Sequence, residues 1–228
     1  MSLFAIADTH LSFASNKPMD DFEGWLNYTD RLKENWNKII DDKDYVVIAG
    51  DISWAMNFDE LKADFDYINR LNGKKIILKG NHDYWWNTMS KMNKFIEENN
   101  FNTISILHNN AFDFDDFSVC GSRGWFFDSD EEQNEKVLNR EVMRIKTSIE
   151  SALNCEKIVF PHYPPVYENQ CCEEIVNLLK EKGIKKCYYG HIHGVAAKYA
   201  FDDNYDGIDF KLISADRLNF MPLLIKKF

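Results

Sequence analysis

The stretch KIILKGNHDYWW, residues 75–86, decides the fold, because a short apolar run stops at Gly80-Asn81 and delivers a cluster of polar, metal-competent side chains. Short, continuous apolar runs bounded by turn residues read as buried strands. The same plan recurs along the chain. Residues 3–7 stop at Asp8, 45–49 at Gly50-Asp51, 157–160 at Pro161-His162, and 186–189 at Gly190-His191. Between and after these runs, residues 22–40, 59–71, 84–98, 131–153 and 171–181 carry apolar side chains at spacings of three and four, which predicts helices. Strands alternating with helices imply βαβ units with right-handed crossovers and an α/β fold. Closely spaced strand-like runs in 103–120 and 197–225 predict two packed sheets with helices outside. Open α/β sheets place ligands at strand ends, so five strand ends are expected to converge on one rim.

At 228 residues, with 45% apolar and 28% charged residues, the chain reads as one domain, 1–228, with a packed core and no disordered tract. A net charge of −10 and the lack of a Lys/Arg stripe argue against a nucleic-acid partner, since that affinity comes from cations neutralising phosphates. Carboxylates that ligate metal enter the same sum, however, and bound cations would reverse the field locally. The five cysteines, Cys120, Cys155, Cys171, Cys172 and Cys187, form no CxxC pair and read as reduced thiols, several of them buried in strands. No leader-like or membrane-spanning stretch stands out, so a cytoplasmic location and no membrane partner are expected. Oligomeric state has no pointer in the sequence.

Of six histidines, five sit at or just after predicted strand ends: His10, His82, His162, His191 and His193. Only His108 falls outside. A single Asp-x-His triplet is commonly a turn or a surface pair. Gly-His-x-His says more, because imidazoles two residues apart in extended chain project to one side.

The ordered set Asp8-x-His10, Gly50-Asp51, Gly80-Asn81-His82-Asp83, His162 and Gly190-His191-x-His193 resembles the calcineurin-like metallophosphoesterase superfamily, over residues 8–193. That resemblance implies a metallo-dependent phosphatase-like four-layer sandwich: two packed mixed β-sheets flanked by helices. It implies two divalent metal ions, with Asp8, His10 and His193 on the first, Asn81, His162 and His191 on the second, and Asp51 bridging them. Imidazoles and carboxylates without thiolates suit Mn, the first expectation, or Fe, Zn, Co or Ni, and not a closed structural zinc site. The activity implied is hydrolysis of a phosphate mono- or diester of a small molecule by metal-bridged hydroxide. His82 would be the general acid, its ring oriented and kept protonated by Asp83. Gly50, Gly80 and Gly190 would let the backbone turn sharply before each functional side chain. A nuclease or nucleotide phosphodiesterase of the same chemistry, or a noncatalytic metal-binding scaffold, are the alternatives.

The resemblance also excludes a branch. Ser/Thr protein phosphatases of this superfamily carry Asp-Arg-Gly shortly after the second motif and Glu after Asn-His in the third. Here Gly50-Asp51 continues as Ile52-Ser53-Trp54-Ala55-Met56, and the third motif ends in Asp83. These strings, with Gly121-Ser122-Arg123-Gly124-Trp125 and His162-Tyr163-Pro164-Pro165, look like a bacterial subgroup of predicted phosphohydrolases. Arg123 is the candidate substrate-phosphate contact, since a guanidinium fork matches phosphate oxygens. Trp54, Trp85, Trp86 and Trp125 are candidate pocket walls, although core packing is the first expectation for Trp85 and Trp86 at a helix start. Pro164 and Pro165 are expected to stiffen the loop after His162. Asp216-Arg217 reads as a surface ion pair, and the acidic run 128–132 as a solvated helix start.

Overall fold

The computed structural model describes residues 1–125 and 135–228. The acidic run 128–132 and the first residues of the helix expected over 131–153 therefore lie outside the described residues. The chain begins with β1 (Ser2–Ile6), α1 (Tyr28–Ile39), β2 (Tyr45–Ala49), α2 (Phe58–Arg70), β3 (Lys74–Leu78), α3 (Met89–Glu98) and β4 (Ile104–Ile106). It continues through β5 (Phe112–Asp113), β6 (Phe117–Ser122), α4 (Glu135–Ser151), β7 (Glu156–Pro161), β8 (Val166–Tyr167) and β9 (Gln170–Cys171). The remainder is α5 (Glu173–Glu181), β10 (Lys186–Tyr189), β11 (Asn204–Tyr205), β12 (Ile208–Leu212) and β13 (Leu223–Lys227).

Two mixed sheets form. One has the order β13-β1-β2-β3-β4 and the other β11-β12-β10-β7-β6-β5. In the first, β1 to β4 run parallel and β13 antiparallel; in the second, β12, β10, β7 and β6 run parallel between antiparallel edges. The apolar runs are continuous because both faces of each sheet are covered. Strand periodicity divides them: Leu3, Ala5, Val47, Ala49, Ile76 and Leu78 meet Phe117, Val119, Ile158 and Phe160 between the sheets. Alternate residues, among them Phe4, Ile6, Val46, Ile48 and Ile77, pack under Leu32, Trp36, Phe65 and Phe95 of the helices. Cys120, Val159 and Cys187 do the same beneath Ile145, Ile175 and Leu179. The result is helix, sheet, sheet, helix, the four layers expected, and all the parallel strands that carry motif residues present their C-terminal ends to one rim.

Element limits moved where tertiary contacts overrode periodicity. α1 starts at Tyr28, not at 22, since Met19–Asp21 form a 3-10 turn and Trp25 folds back into the core. α3 starts at Met89, so Trp85 and Trp86 precede the helix in a loop that the site holds. α5 begins at Glu173 because Cys171 pairs with Val166 in a short hairpin. The cysteines are unbridged, with Cys120, Cys172 and Cys187 buried. Among the described residues, no helix is long and apolar enough to cross a membrane.

Lys75 is fully buried in β3 and unexpected from sequence. Its Nζ donates to the carbonyls of Leu71 (2.6 Å) and Gly73 (2.7 Å), closing the C-terminal end of α2. Lys75→Met should strand those carbonyls and cost about 2 kcal/mol, or roughly 5 °C in Tm, read by thermal melting. Burial lowers the ammonium pKa from 10.5 to about 8. The unfolded chain therefore binds more protons between those pH values, so native stability should rise with pH across that window, a rise absent from Lys75→Met.

Candidate metal centre

The loops after β1, β2, β3, β7 and β10 bring Asp8, His10, Asp51, Asn81, His162, His191 and His193 together. Ligand atoms of Asp8, His10 and Asp51 lie within 4.8 Å of one another, and so do those of Asp51, His162 and His191. Asp51 is common to both groups. Its Oδ2 is 3.9 Å from His10 Nε2 and 3.4 Å from His162 Nε2, while its Oδ1 accepts from the amide of His82 at 2.8 Å. Asn81 Oδ1 lies 2.8 Å from His162 Nε2 and 3.0 Å from His191 Nδ1. His193 faces His10, with ring centroids 5.2 Å apart.

Supporting bonds fix the orientation of this set. His162 Nδ1 donates to the carbonyl of Ala49 at 2.9 Å, leaving Nε2 to carry the lone pair in the neutral ring. Asp8 accepts from the His191 amide at 3.0 and 2.9 Å and from the Ser214 hydroxyl at 2.7 Å. Asp8, His10, Asp51 and His191 all adopt positive φ, at 56°, 43°, 49° and 71°. Non-glycine residues rarely hold that conformation, and strain of this kind gathers at functional sites. Of the three motif glycines, Gly50 has a left-handed φ of 89°. Gly80 is needed for room instead: a Cβ there would come within 2.2 Å of the Asp51 amide nitrogen.

The electrostatics follow from burial and from the mutual charges of the cluster. Burial lowers His10 and His191 to about 3, so both imidazoles are neutral donors at ordinary pH. Burial raises Asp8 to about 6. Asp51 is pushed up by burial but held well below the carboxylate range by the combined pull of His162, His10 and His82. His162 goes the other way, to about 9, because Asp51 outweighs the effect of burial. His10 Nδ1, His10 Nε2 and Asp51 Oδ2 are buried without a hydrogen-bond partner. Orphaned buried polar atoms cost on the order of 1–3 kcal/mol each, and divalent cations coordinated by one His10 nitrogen and by Asp51 Oδ2 would account for two of the three. The residues therefore fit the metal ions that the motifs imply.

Asp83 differs from expectation. Its carboxylate accepts backbone amides on both oxygens: Ile52 (2.9 Å) and Ser53 (3.3 Å) on Oδ1, Gly80 (2.7 Å) and Asp51 (3.0 Å) on Oδ2. It laces the second and third motif loops together, and a role in orienting the His82 ring finds no support in this geometry. Burial raises its pKa to about 7, with the Asp51 charge adding and the amides of Gly80 and Ile52 opposing. Tyr84 stands beside His82, its hydroxyl 3.1 Å from Nδ1. Trp54 walls the site, 4.8 Å from the His10 ring and 4.5 Å from His82. Trp85 and Trp125 are core, and Trp86 is partly buried against the core. Arg123 stacks over Tyr163 at 5.6 Å, and Tyr163 lies 4.5 Å from His191.

Three contributors were missed from sequence. Ser214 follows β12, a strand end hidden within the strand-like run 197–225, and its single hydroxyl proton lies between two acceptors, Asp8 Oδ2 at 2.7 Å and the carbonyl of Ile192 at 2.8 Å. Asp216 accepts the Gly194 amide at 2.6 Å, steadying the loop after His193, while Arg217 faces Asp202 at 3.6 Å; the expected Asp216-Arg217 pair does not form. Trp25 packs 6.0 Å from His10 and 6.2 Å from His193, with no local motif to announce it.

Comparison with known proteins bears on the family and the fold. Of Methanocaldococcus jannaschii, the uncharacterized protein MJ1445 is 34% identical over 86 residues, 36% of this chain and 46% of that protein. The chain thus spans about half the length of that relative. Two solved structures share the fold: the protein of unknown function AQ665 from Aquifex aeolicus (TM-score 0.51, 16% identity, 98% of this chain and 95% of that one), and TT1561 of Thermus thermophilus (TM-score 0.51, 12% identity, 84% and 81%). The family description Calcineurin-like phosphoesterase matches residues 1–195, which take in every strand end that carries a motif residue. With the ordered motifs, the four-layer fold and the buried Asp/His cluster in agreement, the chain belongs to the calcineurin-like phosphoesterase family.

Proposed function

We propose that this protein hydrolyses a phosphate mono- or diester of a small molecule at two divalent metal ions, Mn first among the candidates. The observation that carries the reading is Asp51 Oδ2, one buried carboxylate oxygen that makes no hydrogen bond and faces both His10 and His162. Asp8, His10 and His193 would hold one ion, Asn81, His162 and His191 the other, and Asp51 both. When bound, such ions lower the pKa of water and polarise phosphoryl oxygens. The protein's own groups do the rest. Asp83 and Ser214 keep the loops at fixed separation, so the ligands need little rearrangement. His82 delivers a proton to the leaving-group oxygen, with Tyr84 holding its Nδ1 side. Arg123 is the phosphate contact, carried beside the cluster by its stacking on Tyr163. A groove beside His193, walled by Met19, Phe22, Trp25 and Val195, gives the leaving group an apolar surface.

Metal analysis of the purified protein, with Mn²⁺-supplemented turnover of paired aryl phosphate mono- and diesters, tests the reading. About two metals per chain with hydrolysis of at least one ester is expected; a metal-loaded protein inert to both would favour the noncatalytic scaffold. His82→Ala should keep both metals and lose roughly a hundredfold in rate on esters with poor leaving groups, much less on nitrophenyl esters. An equal loss across leaving groups would reject proton donation.

A further inference from the structure

A second cavity, of about 260 Å³, is lined by Lys79, Trp86, Thr88, His108, Arg123 and Arg144 among others. It is joined to the metal cluster through the backbone. Lys79 stands two residues before Asn81, so their Cα atoms are at most about 7.6 Å apart. The Arg123 carbonyl accepts the amides of His162 (3.1 Å) and Tyr163 (2.9 Å).

The chemistry of its lining has one sign. Lys79 comes from the end of β3, Arg123 from the loop after β6 and Arg144 from α4, so the fold gathers three cationic groups from three separate places, with the His108 imidazole, its pKa lowered by burial, beside them. No carboxylate is among the described lining residues. Two buried acids act on this set from outside the lining: Asp83, bound to backbone amides, and Glu141, which sits behind Arg144 with its Oε1 2.8 Å from Nη1 and its Oε2 accepting from Ser122 at 3.0 Å. Glu141 aims Arg144 without neutralising the set. Lys79 makes no ion pair with any described residue. Thr88 is also the N-cap of α3, and its side chain makes no capping bond. The first turn of that ten-residue helix has no acidic residue. First-turn amides lack intrahelical acceptors, and the N-cap end of the helix, where the dipole is positive, borders the same cavity through Asn87 and Thr88.

We propose that this cavity is an anion subsite that seats a second phosphate group of the substrate, with Arg123 shared between that group and the ester being cleaved. The inference rests on the phosphoesterase reading and narrows it: the substrate class becomes a small molecule with two phosphoryl groups, such as a bisphosphorylated sugar. Lys and Arg side chains beside a positive helix end suit a tetrahedral oxyanion, with Arg supplying paired donors and Lys a point charge. Free inorganic phosphate shares that chemistry, and the experiment separates the two sources.

Metal-stripped protein would be titrated calorimetrically with inorganic phosphate, beside Lys79→Met and the charge-keeping Lys79→Arg. Binding to the native protein, weakened about tenfold or more in Lys79→Met and largely regained in Lys79→Arg, is the expected result. With metals restored, kcat/KM is compared for a sugar bisphosphate and its monophosphate; Lys79→Met should lower their ratio about tenfold. No phosphate binding to the stripped protein, or equal binding by Lys79→Met, overturns the subsite. A ratio unchanged in Lys79→Met overturns its assignment to the substrate and leaves a site for free phosphate alone. Should no ester be hydrolysed, the phosphoesterase reading fails, while the titration still judges the cavity.

Discussion

Asp51→Asn is expected to abolish turnover, by a factor of about a thousand or more, and to leave the protein with less than its full complement of metal. Asn keeps the shape, and its side-chain oxygen can still accept the His82 amide that Asp51 Oδ1 accepts at 2.8 Å, so the loop should stay folded. What is lost is the charge at Oδ2, the atom placed between His10 Nε2 and His162 Nε2. Without it two cations would be held close together with no shared anion between them, and their mutual repulsion would be relieved by losing one. Metal content by mass spectrometry, read beside steady-state rates and a thermal melt, separates this from unfolding. A variant with full activity and both metals would refute the bridging assignment.

Asp83→Asn should act on stability as strongly as Asp51→Asn acts on rate. The Asp83 carboxylate accepts amides from Asp51, Ile52, Ser53 and Gly80, all buried with it. An Asn at this position offers one oxygen and one amide group, and the latter would face two backbone N–H donors. Leaving two buried donors unpaired costs on the order of 3–4 kcal/mol, roughly 10 °C in Tm. Metal affinity should fall with it, because the same bonds set the separation of Asp51 from Asn81. A residue that only oriented His82 would lower the rate and leave the melting temperature in place; that outcome would restore the role first expected for Asp83.

These two carboxylates show where sequence reasoning reaches and where it stops. Both follow a glycine-bounded strand end and both sit in recognisable motifs. The place of Asp51 in the cluster could be read from its motif, because it is set by residue type and by where its strand ends. Asp83 could not, because its partners are main-chain amides, three of the four some 30 residues away, and backbone groups have no identity in a sequence. The same limit hid Ser214, whose hydroxyl meets Asp8 across 206 residues.

The amino-acid sequence by itself determined the layers, the strand ends and the set of groups that meet there. Apolar runs of strand length, cut off by Gly, Asp, Asn and His, encode burial and termination locally, and local chemistry survives in any context. Tertiary structure alone decided that α1 begins at Tyr28, that Trp85 and Trp86 lie ahead of α3, and that Lys75 closes α2. It alone gathered Lys79, His108, Arg123 and Arg144 around one cavity. Those contacts depend on which strands lie side by side and which faces meet, and strand order is a property of the folded sheets that no single segment of the chain contains.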